Sequence, residues 1–308
     1  GWLGRQGRYC LIAGLIAGLL LPEVAQALRT WIGTLIVLLL VVTGMRVGAR
    51  AAFGSLDAVR PALLRVAILQ VGLPLAALAL FTALGVMDTA LALAVVLMLT
   101  APSVTGAPNF AAMTGLDPAP GMRLLVIGTA LFPLTALPVF LLADPAGGGA
   151  LDALSLSTEL LVALRVSSGI GFALRRVFRR LAEPAAQSAL DGLAALLLAV
   201  VVVGLMSAIG PLLREEPATL AGWLATVLAI NFGLVIVTLF LALRLRADMP
   251  AATAVYAGNR NIALFLIVLP EAVAAPLLVF IGCYQVPMYL TPLLLSRLRP
   301  ILRQADPT

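Results

Sequence analysis

In the stretch TAVYAGNRNIALF (residues 253–265) a guanidinium, Arg260, stands between two amides, Asn259 and Asn261, four residues after Tyr256. Earlier in the chain TAPSVTGAPNFAAMTG (100–115) sets Thr105 and Asn109 among Pro102, Gly106 and Pro108. A third group, LLVALRVSSGIG (160–171), places Arg165 just ahead of Ser167 and Ser168. These side chains suit recognition. Arginine presents a rigid fork of donors that matches a carboxylate or several carbonyls at once, and amides and hydroxyls complete such a site. They do not suit catalysis. There is no histidine, no paired aspartate and no supported Ser/Lys couple, so an intramembrane enzyme is not expected. The two cysteines, Cys10 and Cys283, sit in apolar stretches and read as inert packing, which leaves zinc and haem chemistry without ligands. No cofactor and no metal are expected.

The elements that carry these residues are membrane helices. Of 308 residues 62% are hydrophobic and 11% charged, and the mean hydropathy is +1.11, far from a soluble domain. The apolar runs have helical spanning length for a ~30 Å hydrocarbon core and lack the alternation of a barrel. Breaks at Gly, Pro and charge predict ten spans, near 9–22, 29–45, 62–84, 89–114, 121–142, 157–174, 188–210, 219–243, 252–269 and 273–296. No cleavable leader separates from the first span, so the whole chain is read as mature. All 20 basic residues are arginine. Between spans, sixteen of them fall on one side (Arg5, Arg8, Arg46, Arg50, Arg60, Arg65, Arg123, Arg175, Arg176, Arg179, Arg180, Arg244, Arg246, Arg297, Arg299 and Arg303) and two, Arg29 and Arg214, on the other. That asymmetry predicts both termini in the cytoplasm, in a multi-pass protein of a bacterial inner membrane. It also explains the isoelectric point of about 10.3 without nucleic acid, so the expected partners are the lipid bilayer and a small molecule.

The Gly-rich stretch ADPAGGGALDALSLSTE (143–159) reads as the longest loop and divides the chain into halves of five spans, 1–150 and 151–308. Pro133 and Pro138 of the fifth span return as Pro287 and Pro292 of the tenth, each 154 residues later, and Asn109 returns as Asn261 after 152. Five spans is an odd number, so the second half is inverted in the membrane. Each half contains one span interrupted by Pro, Gly or Asn. Breaks at corresponding places in inverted halves predict discontinuous helices 4 and 9 crossing at the midplane around a binding site.

At these residues the chain resembles the bile acid:sodium symporter (BASS) family. TAPSVTGAPNFAAMTGLDPA is similar to that family's fourth-span motif, Pro-Gly-Gly-x-x-Ser-Asn followed by x-x-Thr and a Gly-Asp turn. YAGNRNIALF is similar to its ninth-span motif, Glu-x-Gly-x-Gln-Asn-x-x-Leu-Ala, and FPLTALP fits its paired prolines. The resemblance implies a panel domain from spans 1, 2, 6 and 7, a core domain from spans 3–5 and 8–10, and organic anions bound between them and carried by alternating access. It also implies where sodium ligands should stand, and most are replaced. The motif glutamate falls on Tyr256 and its glutamine on Arg260. The fourth-span Ser-Asn pair becomes Pro108-Asn109. Counted from Leu116-Asp117, the fifth-span Ser and Thr ligands fall on Gly121 and Leu125. Gln70 matches a third-span glutamine ligand.

Sodium beside Arg260 would meet a repulsion of about 4 kcal/mol at ~4 Å and an effective dielectric near 20. The usual two-sodium coupling is therefore expected to be absent, with Arg260 standing in for the cation, bracing the crossing and raising the potential for an anion. The expected substrate site is Arg260, Asn261, Asn109, Asn259, Tyr256, Thr105, Arg165 and Ser168, with Ser167, Asn231, Gln285 and Thr135 as further polar candidates. Two other readings stay open: a non-transporting membrane receptor or subunit that retains the fold, and a sodium symporter with atypical ligands. Proton antiport lacks a buried carboxylate at the crossing, and arsenite efflux lacks a fourth-span cysteine.

Overall fold

The computed structural model describes residues 7–47, 59–245 and 250–297, and the expectations placed on Arg5, Arg50, Arg246, Arg299 and Arg303 lie outside the described residues. The fold is all-α. In chain order the helices are α1 (Gly7–Leu20), α2 (Pro22–Arg29), α3 (Ile32–Val47), α4 (Val59–Ala83), α5 (Ala90–Thr100), α6 (Ala107–Thr114), α7 (Pro118–Ala143), α8 (Gly149–Val177), α9 (Pro184–Glu215), α10 (Pro217–Leu245), α11 (Ala252–Gly258) and α12 (Glu271–Arg297). Short 3-10 turns cover Arg179–Ala182 and Ile262–Ile267. Among the described residues the only extended pairing is one antiparallel bridge, Ser103 to Arg260.

Among the described residues six helices, α4, α7, α8, α9, α10 and α12, are long and apolar enough to cross a bilayer, and α2 with α3 makes a seventh if that bent pair is one span. The chain is thus a multi-pass membrane protein. The remaining predicted spans are shorter or divided. Span 9–22 is the 14-residue α1, and the expected start of the second span at residue 29 is corrected to Ile32. The amphipathic α2 precedes it, turned from α3 by 72°. A second correction concerns 143–159. The break is short, because α8 begins at Gly149 and incorporates the Ser- and Thr-rich run. Asp144, in the left-handed conformation, accepts from the Gly147 and Gly149 amides and so ends one helix and aims the next. Ser155 and Thr158 bond within α8 to Glu159 and the Leu154 carbonyl, so their polarity does not interrupt the helix.

Two compact units divide the chain. One comprises Gly1–Phe53, Leu154–Ala221 and Ala263–Gly282, the other Gly54–Ala153, Gly222–Ile262 and Cys283–Thr308. In the first, α9 packs on α1, α2 and α3. Small residues permit the approach, since a Cβ at Gly14 would stand 2.7 Å from the Ala199 carbonyl oxygen and one at Gly18 would stand 2.6 Å from the Met206 Cβ. Arg175 of α8 donates to the Met45 and Arg46 carbonyls at the C-terminal end of α3, where a cation is favoured, and Arg46 pairs with Asp191. In the second unit α7 is the hub, touching α4, α5, α6 and α11. Ala62, Val66, Leu69, Leu124, Tyr256 and Ala257 form a buried cluster there.

Candidate functional site

The second unit's interior is built from three interruptions. In α4 the backbone widens to a π-turn over Ile68–Gly72. Pro74 follows directly. The Leu73 amide reaches back to the Ile68 carbonyl, five residues away, and Pro74 has no N–H to give. The Leu69 carbonyl is thereby left without a donor from the helix residues four and five ahead of it. The second interruption follows Thr100: Ala101 is extended (φ −62°, ψ 148°), as a residue before proline prefers, and the helix resumes only at Ala107. The third follows Gly258, beyond which the chain runs extended until the 3-10 turn at Ile262.

The two unwound segments satisfy one another. The Val104 amide donates to the Asn259 carbonyl at 3.0 Å, the Asn261 amide donates to the Pro102 carbonyl at 2.7 Å, and the Ser103 hydroxyl adds a 2.9 Å bond to the Asn259 carbonyl. A bilayer offers backbone groups no partners, so breaks of this kind survive only when protein supplies them. The Gly258 carbonyl, at the end of α11, accepts from the Asn231 amide and the Tyr284 hydroxyl, and Tyr284 in turn accepts from the Arg260 amide at 3.3 Å.

Arg260 lies where the three interruptions meet, and is 1% exposed. Its Nε donates to the Ala257 carbonyl at 2.8 Å, Nη1 to the Ala101 carbonyl at 3.1 Å and Nη2 to the Leu69 carbonyl at 3.3 Å. Each acceptor belongs to a different interruption. Ala257 is in the last turn of α11, Ala101 follows the end of α5, and Leu69 is the carbonyl orphaned by the π-turn and Pro74. Two helix C-termini therefore converge on one guanidinium, and each such terminus carries about half a negative charge. The guanidinium also lies over the Tyr256 ring, 5.2 Å from its centroid.

Several positions at which the resemblance would put sodium ligands are tied to one another. Gln70, fully buried on the π-turn, donates from Nε2 to the Tyr256 hydroxyl at 2.8 Å, and its Oε1 accepts from Thr135 at 3.2 Å. Gly128 makes room, since a Cβ there would run into the Tyr256 hydroxyl and the Gln70 amide. Gly121 and Leu125 are buried on α7 and offer no side-chain oxygen. Pro108 is buried at the start of α6. Asn109 lies on α6, and its side chain is outside the described residues. At the end of α6, Gly115 takes a φ of 84° and the Leu116 amide bonds back to the Ala111 carbonyl, while Asp117 caps α7 through the Ala119 amide.

The other expected site residues scatter. Asn259 is fully buried, its amide on the Val255 carbonyl at 2.9 Å and its Oδ1 without a donor. Thr105 and Asn261 are half-buried beside the bridge. Arg165 and Ser168 belong to the other unit, where Arg165 is exposed on α8. Ser167 bonds the Ala163 carbonyl of its own helix at 2.6 Å. Gln285 accepts from Tyr289, and Asn231 accepts from Thr291. Sequence reasoning missed Tyr284, Ser103, Gly128 and the Leu69 carbonyl. Pro74, four residues past Gln70, was the available signal for the last.

Among the described residues no group of histidine, cysteine or acidic side chains could hold a metal ion. The chain matches no protein-family model, and no curated protein is similar enough to count as a relative.

Proposed function

We propose that the chain is an alternating-access carrier of small organic anions, a divergent relative of the bile acid:sodium symporters in which Arg260 replaces the coupling cation. One observation carries this reading: a buried guanidinium binds three backbone carbonyls, each freed by a different helix interruption. Converging helix C-termini and unwound carbonyls are what secondary carriers use to hold a coupling cation. Here a covalently tethered cation meets the same requirement, and Gln70 and Tyr256 are spent on each other. The charge of the guanidinium is balanced by the two helix termini, so Arg260 braces the crossing. The half-buried Thr105 and Asn261 are then the side chains that meet substrate.

The reading takes the fold as ten spans in two inverted repeats, with both termini in the cytoplasm of a bacterial inner membrane. A local echo supports the repeat. Thr135 donates to the amide oxygen of Gln70 and to the carbonyl three residues back, and Thr291 donates to the amide oxygen of Asn231 and to the carbonyl four residues back. The chain's division into two units, one holding α1–α3, α9 and nearly all of α8 and the other α4–α7, α11 and nearly all of α10, supports a panel and a core everywhere but at α12, which it divides.

Purified protein in liposomes separates the carrier from a receptor that merely keeps the fold. Time-dependent, saturable accumulation of labelled carboxylates supports the carrier. Ligand binding without accumulation overturns it.

A further inference from the structure

Away from the crossing, the first unit contains a cavity of about 560 Å³ between the elbow formed by α1 and α2 and the second half of α9. Its wall is largely apolar, from Gly18, Leu19, Pro22, Ala27, Met206 and Pro211, and its polar groups are few. Glu23 supplies a carboxylate and Gln26 an amide. Ser207 supplies two acceptors. Its hydroxyl is buried with no partner, and its carbonyl is the one that Pro211, inside α9, cannot serve, because proline has no N–H to return to the residue four positions back. Among the described residues no basic side chain lines the cavity. Arg29, farther along α2, pairs with Glu271 at 3.5 Å, and Arg214, beyond Pro211 on α9, is not part of the wall.

The volume is that of a small-molecule site, and apolar walls with a few convergent polar groups are its usual construction. An acid with unsatisfied acceptors asks for a cation that still carries N–H donors. An apolar wall asks for a hydrocarbon attached to it. The surroundings say where that hydrocarbon comes from. Leu20, Leu21, Val24 and Trp31, on and beside the elbow, are exposed large apolar side chains, and α2 has the composition of a helix lying in the plane of the membrane interface.

We propose that this cavity is a binding site for an aminophospholipid of the bilayer, its primary ammonium held by Glu23 and the Ser207 oxygens and its glycerol and upper acyl chains along the apolar wall. The lipid bridges α1, α2 and α9 at the turn where α1 gives way to α2.

The test uses the intact protein in lipid nanodiscs or detergent, with native mass spectrometry and thermal unfolding as readouts and defined lipids as probes. Phosphatidylethanolamine is expected to bind about tenfold more tightly than phosphatidylcholine, whose quaternary head has no N–H to donate, a ratio typical of one charge-assisted hydrogen bond. It should also raise the unfolding temperature where phosphatidylglycerol does not. Glu23→Gln, at an exposed position that leaves folding intact, is expected to abolish the preference. So is Gly210→Leu, because a side chain there enters open space in the cavity without meeting backbone. Free dodecylamine should compete with the lipid, whereas dodecanol should not. Equal binding of ethanolamine and choline lipids, or a preference that survives both variants, overturns the proposal.

Discussion

Arg260 is costly to bury and costly to remove. With Gln in its place the Ala101 and Leu69 carbonyls lose their donors in the interior, and each unsatisfied buried group costs about 1–3 kcal/mol. Arg260→Gln is therefore expected to destabilise the protein by about 3–5 kcal/mol, read as a lowered midpoint in chemical unfolding in detergent. Arg260→Lys keeps the charge but not the fork. A compact ammonium cannot span carbonyls from α4, α5 and α11 together, so an intermediate loss is expected in the same measurement. Gly128→Ala probes the neighbouring pair: its Cβ displaces the Tyr256 hydroxyl or the Gln70 amide, and a loss of about 1–3 kcal/mol is expected. The identity of Arg260 as the unusual residue was legible in the sequence, because a charge between two amides in an apolar run has few uses. That it would bind helix carbonyls at the crossing was legible too, but which carbonyls was not, because nothing in a residue's name says that its carbonyl is unpaired.

At the level of elements, the breaks after Thr100 and Gly258 could be read from Pro102, Pro108, Gly258 and the flanking asparagines, since proline and glycine act on the backbone wherever they stand. The π-turn at Ile68–Gly72 could not, because its helix is continuous in hydropathy and only Pro74 marks it. The start of α8 was misplaced for the opposite reason: Ser155, Thr158 and Asp152 look like a loop, yet their side chains bond within the helix or face outward. Close packing of α3 on α8 rests on Gly44 and Gly171. A Cβ at Gly171 would approach the Gly44 Cα at 2.8 Å and the Met45 amide at 2.9 Å, and both are backbone atoms that cannot rotate away. Gly171→Ala is expected to cost about 2–3 kcal/mol, measured against Gly169→Ala, where a Cβ meets nothing within 4 Å and little change is expected.

For the molecule as a whole, composition was enough to place the chain in a membrane and to make it helical, because a mean hydropathy of +1.11 leaves few alternatives. The division into two units built from discontinuous segments is a long-range property that no local pattern encodes. The functional claim also belongs to this scale. A carrier whose cation is part of the chain owes nothing to a sodium gradient, while the same fold with an empty cation position should acquire a dependence on one. The decisive measurement is the initial rate of labelled carboxylate uptake into proteoliposomes with sodium or potassium outside, for the wild-type protein and for Arg260→Gln. The expected result is a wild-type rate that is the same in both salts, with Arg260→Gln either inactive or newly stimulated by sodium. A wild-type rate that rises steeply and saturably with sodium, or an Arg260→Gln protein that transports unchanged in potassium, contradicts the claim that Arg260 takes the place of the coupling ion.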